Sequence, residues 1–201
     1  MVPGKLADEV VRRRQAAEAG HRGDEPTARR LLVDPEAKVR ATALGALARM
    51  DRLTADDVAL ALTDAAPVVR RRAAELAVPF PLDVARMLLD PDVGVVEVAC
   101  WALGEQGAKA EAAVPALAHT AGHHADPLCR EAAVAALGAI GCDEGLPAIL
   151  AATTDRPTVR RRAVLALAPF DGPEVDAALQ RAAGDRDWQV RQAAEDLLAD
   201  D

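Results

Sequence analysis

The chain is poor in large flat side chains. It has no tyrosine, two phenylalanines and two tryptophans, so aromatics make up only 2% of its 201 residues. Pleated sheets are filled by β-branched and aromatic residues. Their scarcity excludes a β-sandwich or barrel, and equally a single thick core of interlocking large side chains. Cysteine is almost as scarce. Cys100, Cys129 and Cys142 are odd in number and show no CxxC spacing, which excludes a disulfide framework. No segment approaches the ~20 consecutive apolar residues of a membrane span. The opening MVPGKLADEVVRRR lacks the apolar centre of a secretory signal. Positive charge is not in excess either: 24 Lys+Arg stand against 32 Asp+Glu, for a net charge of −8. General affinity for DNA or an anionic membrane needs clustered positive charge, so neither is an expected partner. Together these absences predict a cytoplasmic protein.

What is abundant is alanine, with 47 residues in a chain that is 51% hydrophobic. The apolar content is therefore made of small residues, the composition of helices packed backbone to backbone. Mixed charge at this hydrophobicity excludes disorder.

A repeat organises those residues. VRATALGALARM begins at Val39, VRRRAAELAVPF at Val69 and VVEVACWALGEQG at Val95. CREAAVAALGAIG begins at Cys129, VRRRAVLALAPF at Val159 and VRQAAEDLLAD at Val190. The starts are 30, 26, 34, 30 and 31 residues apart, the period of a stacked repeat. Pro67, Arg70–Arg72, Ala73 and Pro79-Phe80 recur as Pro157, Arg160–Arg162, Ala163 and Pro169-Phe170, which is a triplet similarity laid over the single one.

Each repeat reads as two helices. Val39, Ala43, Ala46, Leu47 and Met50 form one apolar stripe at helical spacing. The preceding segment is shorter, and Thr54 with Asp57 three residues on resembles a capping box. Asp-Pro and Gly signals such as Asp34-Pro35, Asp90-Pro91, Asp126-Pro127 and Gly172-Pro173 separate the helices.

On these residues the chain resembles the HEAT-repeat proteins of the short bacterial, phycobilisome-lyase HEAT-like type. The Val-Arg opening of the second helix, six residues after a turn Asp, is carried by Asp34 and Arg40, Asp64 and Arg70, and Asp185 and Arg191. The Pro of that family's first helix is matched by Pro115 and Pro147. The resemblance implies an all-α, right-handed α-solenoid of about six helix pairs plus an N-terminal helix. The expected organisation is one solenoid domain over 1–201: an N-terminal helix over about 5–20, then repeats over about 25–50, 53–80, 81–107, 109–141, 143–170 and 172–201. It also implies an Asp–Arg ladder between turns. Three departures predict where that ladder weakens: Val96 replaces Arg, Asp126 lies four residues before Arg130, and Asp155 lies five before Arg160.

The resemblance further implies that the Val-Arg helices line a concave side. Their third and seventh positions then point into a groove: Ala41 and Gly45, Arg71 and Glu75, Glu97 and Trp101, Glu131 and Ala135, Arg161 and Leu165, Gln192 and Asp196. Arg71, Arg72, Arg161 and Arg162 form two basic patches, with Glu97, Glu105 and Glu131 between them. Planar guanidinium groups suit carboxylates, and an exposed Trp101 is a natural binding anchor. The expected function is a non-catalytic scaffold or adaptor for a protein or peptide, with these residues as contacts. Trp188 is expected to cap the last repeat, and Phe80 and Phe170 to pack.

Chemistry is sparse. His119 and His123, with His124 nearby, have a spacing that can grip zinc or nickel, and the long 34-residue spacing places an inserted loop there. Against this, Ala121-Gly122 is a helix-ending signal, and Cys129 occupies a core position unsuited to a nucleophile. No cofactor is expected. The resemblance leaves two enzyme alternatives, a bilin lyase subunit and an alkylbase DNA glycosylase, the latter echoed by Trp101 and Glu105.

Overall fold

The computed structural model describes residues 3–199, with the side chains of 7–199. Among the described residues it contains twelve α-helices, three 3-10 segments and no strand. The chain is an all-α solenoid of stacked helix pairs, and its contacts divide it into two compact units between Asp83 and Val84.

In the first unit α1 (Pro3–Arg22) precedes two pairs, α2 (Glu25–Leu31) with α3 (Ala37–Arg49) and α4 (Ala55–Ala61) with α5 (Pro67–Leu76). The second unit begins with a 3-10 turn, Ala85–Leu89, in place of a first helix, followed by α6 (Val93–Gln106). This shortening explains the 26-residue spacing between Val69 and Val95. Next come α7 (Val114–His123) with α8 (Pro127–Ile140), α9 (Leu146–Ala152) with α10 (Pro157–Ala166), and α11 (Pro173–Ala182) with α12 (Trp188–Ala199).

Local chemistry starts the helices where the sequence signals lie. Asp24 caps α2 by accepting from the Thr27 amide, and Thr54 and Asp57 form the complete capping box of α4. Pro115 and Pro147 are in the first turns of α7 and α9, each preceded by a 3-10 segment, so neither removes a helical hydrogen bond. The extra residues of the long repeat form the 3-10 segment Gly107–Ala113. They are not a loop at His119–His124, and α7 runs through Gly122 to His123.

The second helix of each pair packs against its own first helix and, within a unit, against neighbouring second helices. The first, fifth, eighth and ninth positions are buried in α3 (Val39, Ala43, Ala46 and Leu47), and their counterparts are buried in α6, α8 and α10. The sixth position is buried as well: Leu44, Ala74, Cys100, Val134 and Val164. A helix held between neighbours buries a wider arc than a single amphipathic stripe. Small residues set the spacing. A Cβ on Gly20 would sit 2.9 Å from the Ala46 Cα, and one on Gly138 would sit 2.8 Å from the Ala166 Cα.

Arginine rungs fasten these joins, and their direction differs from a within-repeat pairing. Arg40 reaches forward to the next turn, donating to both oxygens of Asp64 at 2.8 and 2.6 Å, while its third nitrogen donates to the Asp34 carbonyl at 2.8 Å. Arg130 does the same to Asp155 (2.7 and 2.8 Å), and Arg160 to Asp185 (2.8 and 2.7 Å). Arg12 of α1 supplies the rung to Asp34 at 2.7 Å. Each guanidinium holds its partner carboxyl below the usual range in Asp64, Asp155 and Asp185.

The expected weakness across three repeats is therefore confined to one join, because the irregular Asp–Arg spacings at Arg130 and Arg160 do not disturb the forward pairing. At that join Val96 stands where Arg is found elsewhere. The turn residue that would receive the rung is His124, not Asp126. His124 Nδ1 accepts from the Asp126 amide at 3.1 Å, as Asp34 Oδ1 accepts from the Glu36 amide at 2.9 Å. Asp126 instead caps α8 through the Leu128 amide. Donor and acceptor are both replaced, so neither an Arg nor an Asp is left without its rung partner in the join.

Candidate functional site

All twelve third and seventh positions of the second helices line a groove. Ala41, Gly45, Arg71 and Glu75 line one in the first unit, of about 500 Å³. Glu97, Trp101, Glu131 and Ala135 line another in the second unit, of about 380 Å³, and Arg161, Leu165, Gln192 and Asp196 line a third of about 130 Å³. The helical period alone places these side chains away from the buried arc.

The central groove of the second unit brings together most of the sequence-derived candidates. Glu97, Trp101 and Glu105 project from α6, Glu131 from α8 and Arg162 from α10. The floor is made of small residues, Gly104, Ala132, Ala135 and Ala136, so the indole of Trp101 stands above its surroundings and is 48% exposed. Arg162 leans toward Glu131 at 3.5 Å, leaving Glu97 and Glu105 on either side of Trp101 without a cation of their own among the described residues. An exposed aromatic face flanked by carboxylates suits a cation, which gains from both the ring quadrupole and the negative field.

The two basic patches do not survive as equivalents. Arg71 and Arg72 share the first unit's groove, where Arg72 is paired with Glu75 at 2.7 Å. Arg161 and Arg162 are neighbours in sequence but face different grooves, Arg162 the acidic one and Arg161 the small one beside Trp188. Trp188 does not cap the last core. It is the first residue of α12 and is 65% exposed, because the small buried residues Val190, Ala193 and Ala194 already close that layer. Phe170 is buried, and Phe80 is half-buried. Sequence reasoning missed Arg13, Lys38 and Arg49, which join Arg71 and Arg72 in the first groove. They lie on α1 or outside the third and seventh positions, so the repeat register gave no signal for them.

The histidines are held by local contacts. His119 and His123 stack with ring centroids 4.6 Å apart, and His123 Nδ1 is 3.1 Å from the His119 carbonyl oxygen. His124 serves its turn as described. Among the described residues no group of three or more His, Cys, Asp or Glu side chains is arranged to hold a metal ion. Burial pushes the Cys100 thiol up to about 12 and the Cys129 thiol up to about 11. Both are therefore thiols at neutral pH, not thiolate nucleophiles. No helix among the described residues is long and apolar enough to cross a membrane.

Similarity to known proteins agrees with this architecture. No curated protein matches the sequence. Among solved structures, the YibA protein of Escherichia coli superposes with a TM-score of 0.60 at 19% identity, covering 83% of this chain and 67% of that one. Human deoxyhypusine hydroxylase gives 0.50 at 22% identity, covering 94% and 78%. A designed armadillo repeat protein in complex with the peptide (KR)4 gives 0.51 at 18% identity, covering 92% and 85%. These likenesses are of fold. The family model for HEAT repeats matches residues 82–157 and 120–199, which together span more than half of the chain and coincide with the helix pairs described above. The chain therefore belongs to the HEAT-repeat family.

Proposed function

We propose that this protein is a non-catalytic interaction scaffold whose second-unit groove receives a cationic, extended segment of a partner protein. The observation that carries this reading is Trp101, half exposed between Glu97 and Glu105 and facing Glu131 across a floor of alanine and glycine. An arginine or lysine side chain laid on the indole would place its charge within reach of these carboxylates, and the low floor admits a peptide backbone. The designed armadillo protein of similar fold is in complex with the peptide (KR)4, which supports a stack of this kind accepting a basic peptide. The same carboxylates weigh against the glycosylase alternative: Trp101 and Glu105 do line one groove, but a DNA backbone entering it would meet three negative side chains.

Titration of the full chain with a Lys-Arg octapeptide, followed by tryptophan fluorescence and calorimetry, tests the proposal. Saturable binding is expected, with Trp101→Ala weakening it about 30-fold, as a central aromatic anchor does, while the melting temperature stays within about 2 °C. Binding that is indifferent to Trp101→Ala, or absent, refutes it.

A further inference from the structure

The first unit carries a groove of the opposite sign. Arg13 of α1, Lys38 and Arg49 of α3, and Arg71 and Arg72 of α5 converge on one concavity of about 500 Å³, which His21 also lines. Its single carboxylate, Glu75, is already held by Arg72 at 2.7 Å. Arg13, Lys38, Arg49 and Arg71 have no carboxylate partner among the described residues. By contrast Arg12, one residue before Arg13, is tied to Asp34 at 2.7 Å. A protein with 32 acidic residues thus leaves five cations facing one cavity almost uncompensated. They repel one another until an anion enters.

The floor is shaped to present them. A Cβ on Gly45 would lie 2.6 Å from Arg72 Nη2, so glycine at this position leaves room for the guanidinium close against α3. Ala41 keeps the rest of the floor low.

We infer that this groove binds an acidic peptide segment of a partner protein, its carboxylates taken by Arg13, Lys38, Arg49 and Arg71. The cations come from α1, α3 and α5, which pack side by side, and this spread matches an extended chain bearing several carboxylates. Nucleic acid fits less well. No Trp, Tyr or Phe lines the groove, so bases would lack the large aromatic platforms of single-strand binders, and the net charge of −8 repels a polyanion longer than the groove. The site shares no residue with the Trp101 groove, so either can fail without the other.

The experiment is fluorescence anisotropy of a labelled Glu-Asp octapeptide with the full chain. Binding is expected to be saturable, and Lys38→Glu and Arg71→Glu should each weaken it by about tenfold or more. Arg13→Glu, at an exposed position on a different helix, should do the same with an unchanged circular-dichroism melt. Trp101→Ala should leave it untouched. Equal affinities for wild type and the folded variants overturn the inference. So does tighter binding of a single-stranded DNA of the same length, which would make nucleic acid the occupant, and so does a lack of binding at about 1 mM peptide in low salt.

Discussion

Replacing one carboxylate in the Arg160–Asp185 rung tests how the stack is held. Arg160 is 7% exposed. Its guanidinium makes two bonds to Asp185 and one, of 2.8 Å, to the Asp155 carbonyl. Asp185→Asn keeps the oxygen that accepts from the Asp187 amide at 2.8 Å, so the turn is spared. What is lost is the negative charge and one of the two charged hydrogen bonds. A charged hydrogen bond contributes about 1.5–3 kcal/mol, and breaking a buried pair costs about 3–5 kcal/mol because a charge is left uncompensated. The Asp155 carbonyl still receives part of the guanidinium, so the lower end applies, about 2–3 kcal/mol. For a chain of this size that is a fall in melting temperature of roughly 4–12 °C. Circular dichroism against temperature and urea measures it. Arg160→Met with Asp185→Asn should recover part of the loss, since no charge is then stranded and the Asp187 amide keeps its acceptor. Glu18→Gln is the control. Its pairing with Arg14, whose side chain is 80% exposed, is a solvent-screened surface contact that contributes little. If Asp185→Asn costs no more than Glu18→Gln, the rung does not hold the join and the reasoning is refuted.

Two further outcomes follow from the same packing. Gly138→Ala should destabilise by about 1–3 kcal/mol, because its Cβ has nowhere to go but against the Ala166 backbone; Gly122→Ala, with open space around it in α7, should stabilise by up to about 1 kcal/mol, and comparing the two denaturation midpoints checks both. Stability should also fall on acidification: Asp64, Asp155 and Asp185 are held below the ordinary carboxylate range by Arg40, Arg130 and Arg160, so the unfolded chain takes up protons first, and the stabilisation present above about pH 4 is lost as pH falls through that value toward the folded one. A urea midpoint that does not change between pH 6 and roughly pH 3 would contradict this.

Much of the architecture is legible in one sequence because every repeat states the same pattern. Val39, Ala43, Ala46 and Leu47 announce a buried stripe, and the third and seventh positions are thereby fixed on the open side. Periodicity carries no information on which neighbour a helix meets, so burial of Leu44 and Val134 at the sixth position emerges only in the stack. The same holds for the rungs. Spacing shows that Arg130 and Asp155 each belong to the ladder, but not that one reaches forward to the other. His124 is the sharpest case. Read along the chain, it belongs with His119 and His123 as a candidate ligand; read across repeats, it is a turn residue in the place of Asp34. In the basic groove Arg13 lies before the repeats begin, so no register could point to it.

The compensated join at Val96 and His124 gives the second unit an order of disassembly. Where α6 meets α8, cohesion is apolar: Val96 is fully buried, and Gly104 brings α6 against Ala136. Apolar contact of this kind is indifferent to protons. The joins from α8 to α10 and from α10 to α12 each depend on a carboxylate, Asp155 in one and Asp185 in the other. Because each repeat of a stack is coupled only to its neighbours, acid removes the carboxylate rung from these two joins, whereas the first has no such rung to lose. The second unit is then expected to unravel from the α12 side inward, with the α6–α8 layer the last to lose amide protection in hydrogen exchange at low pH.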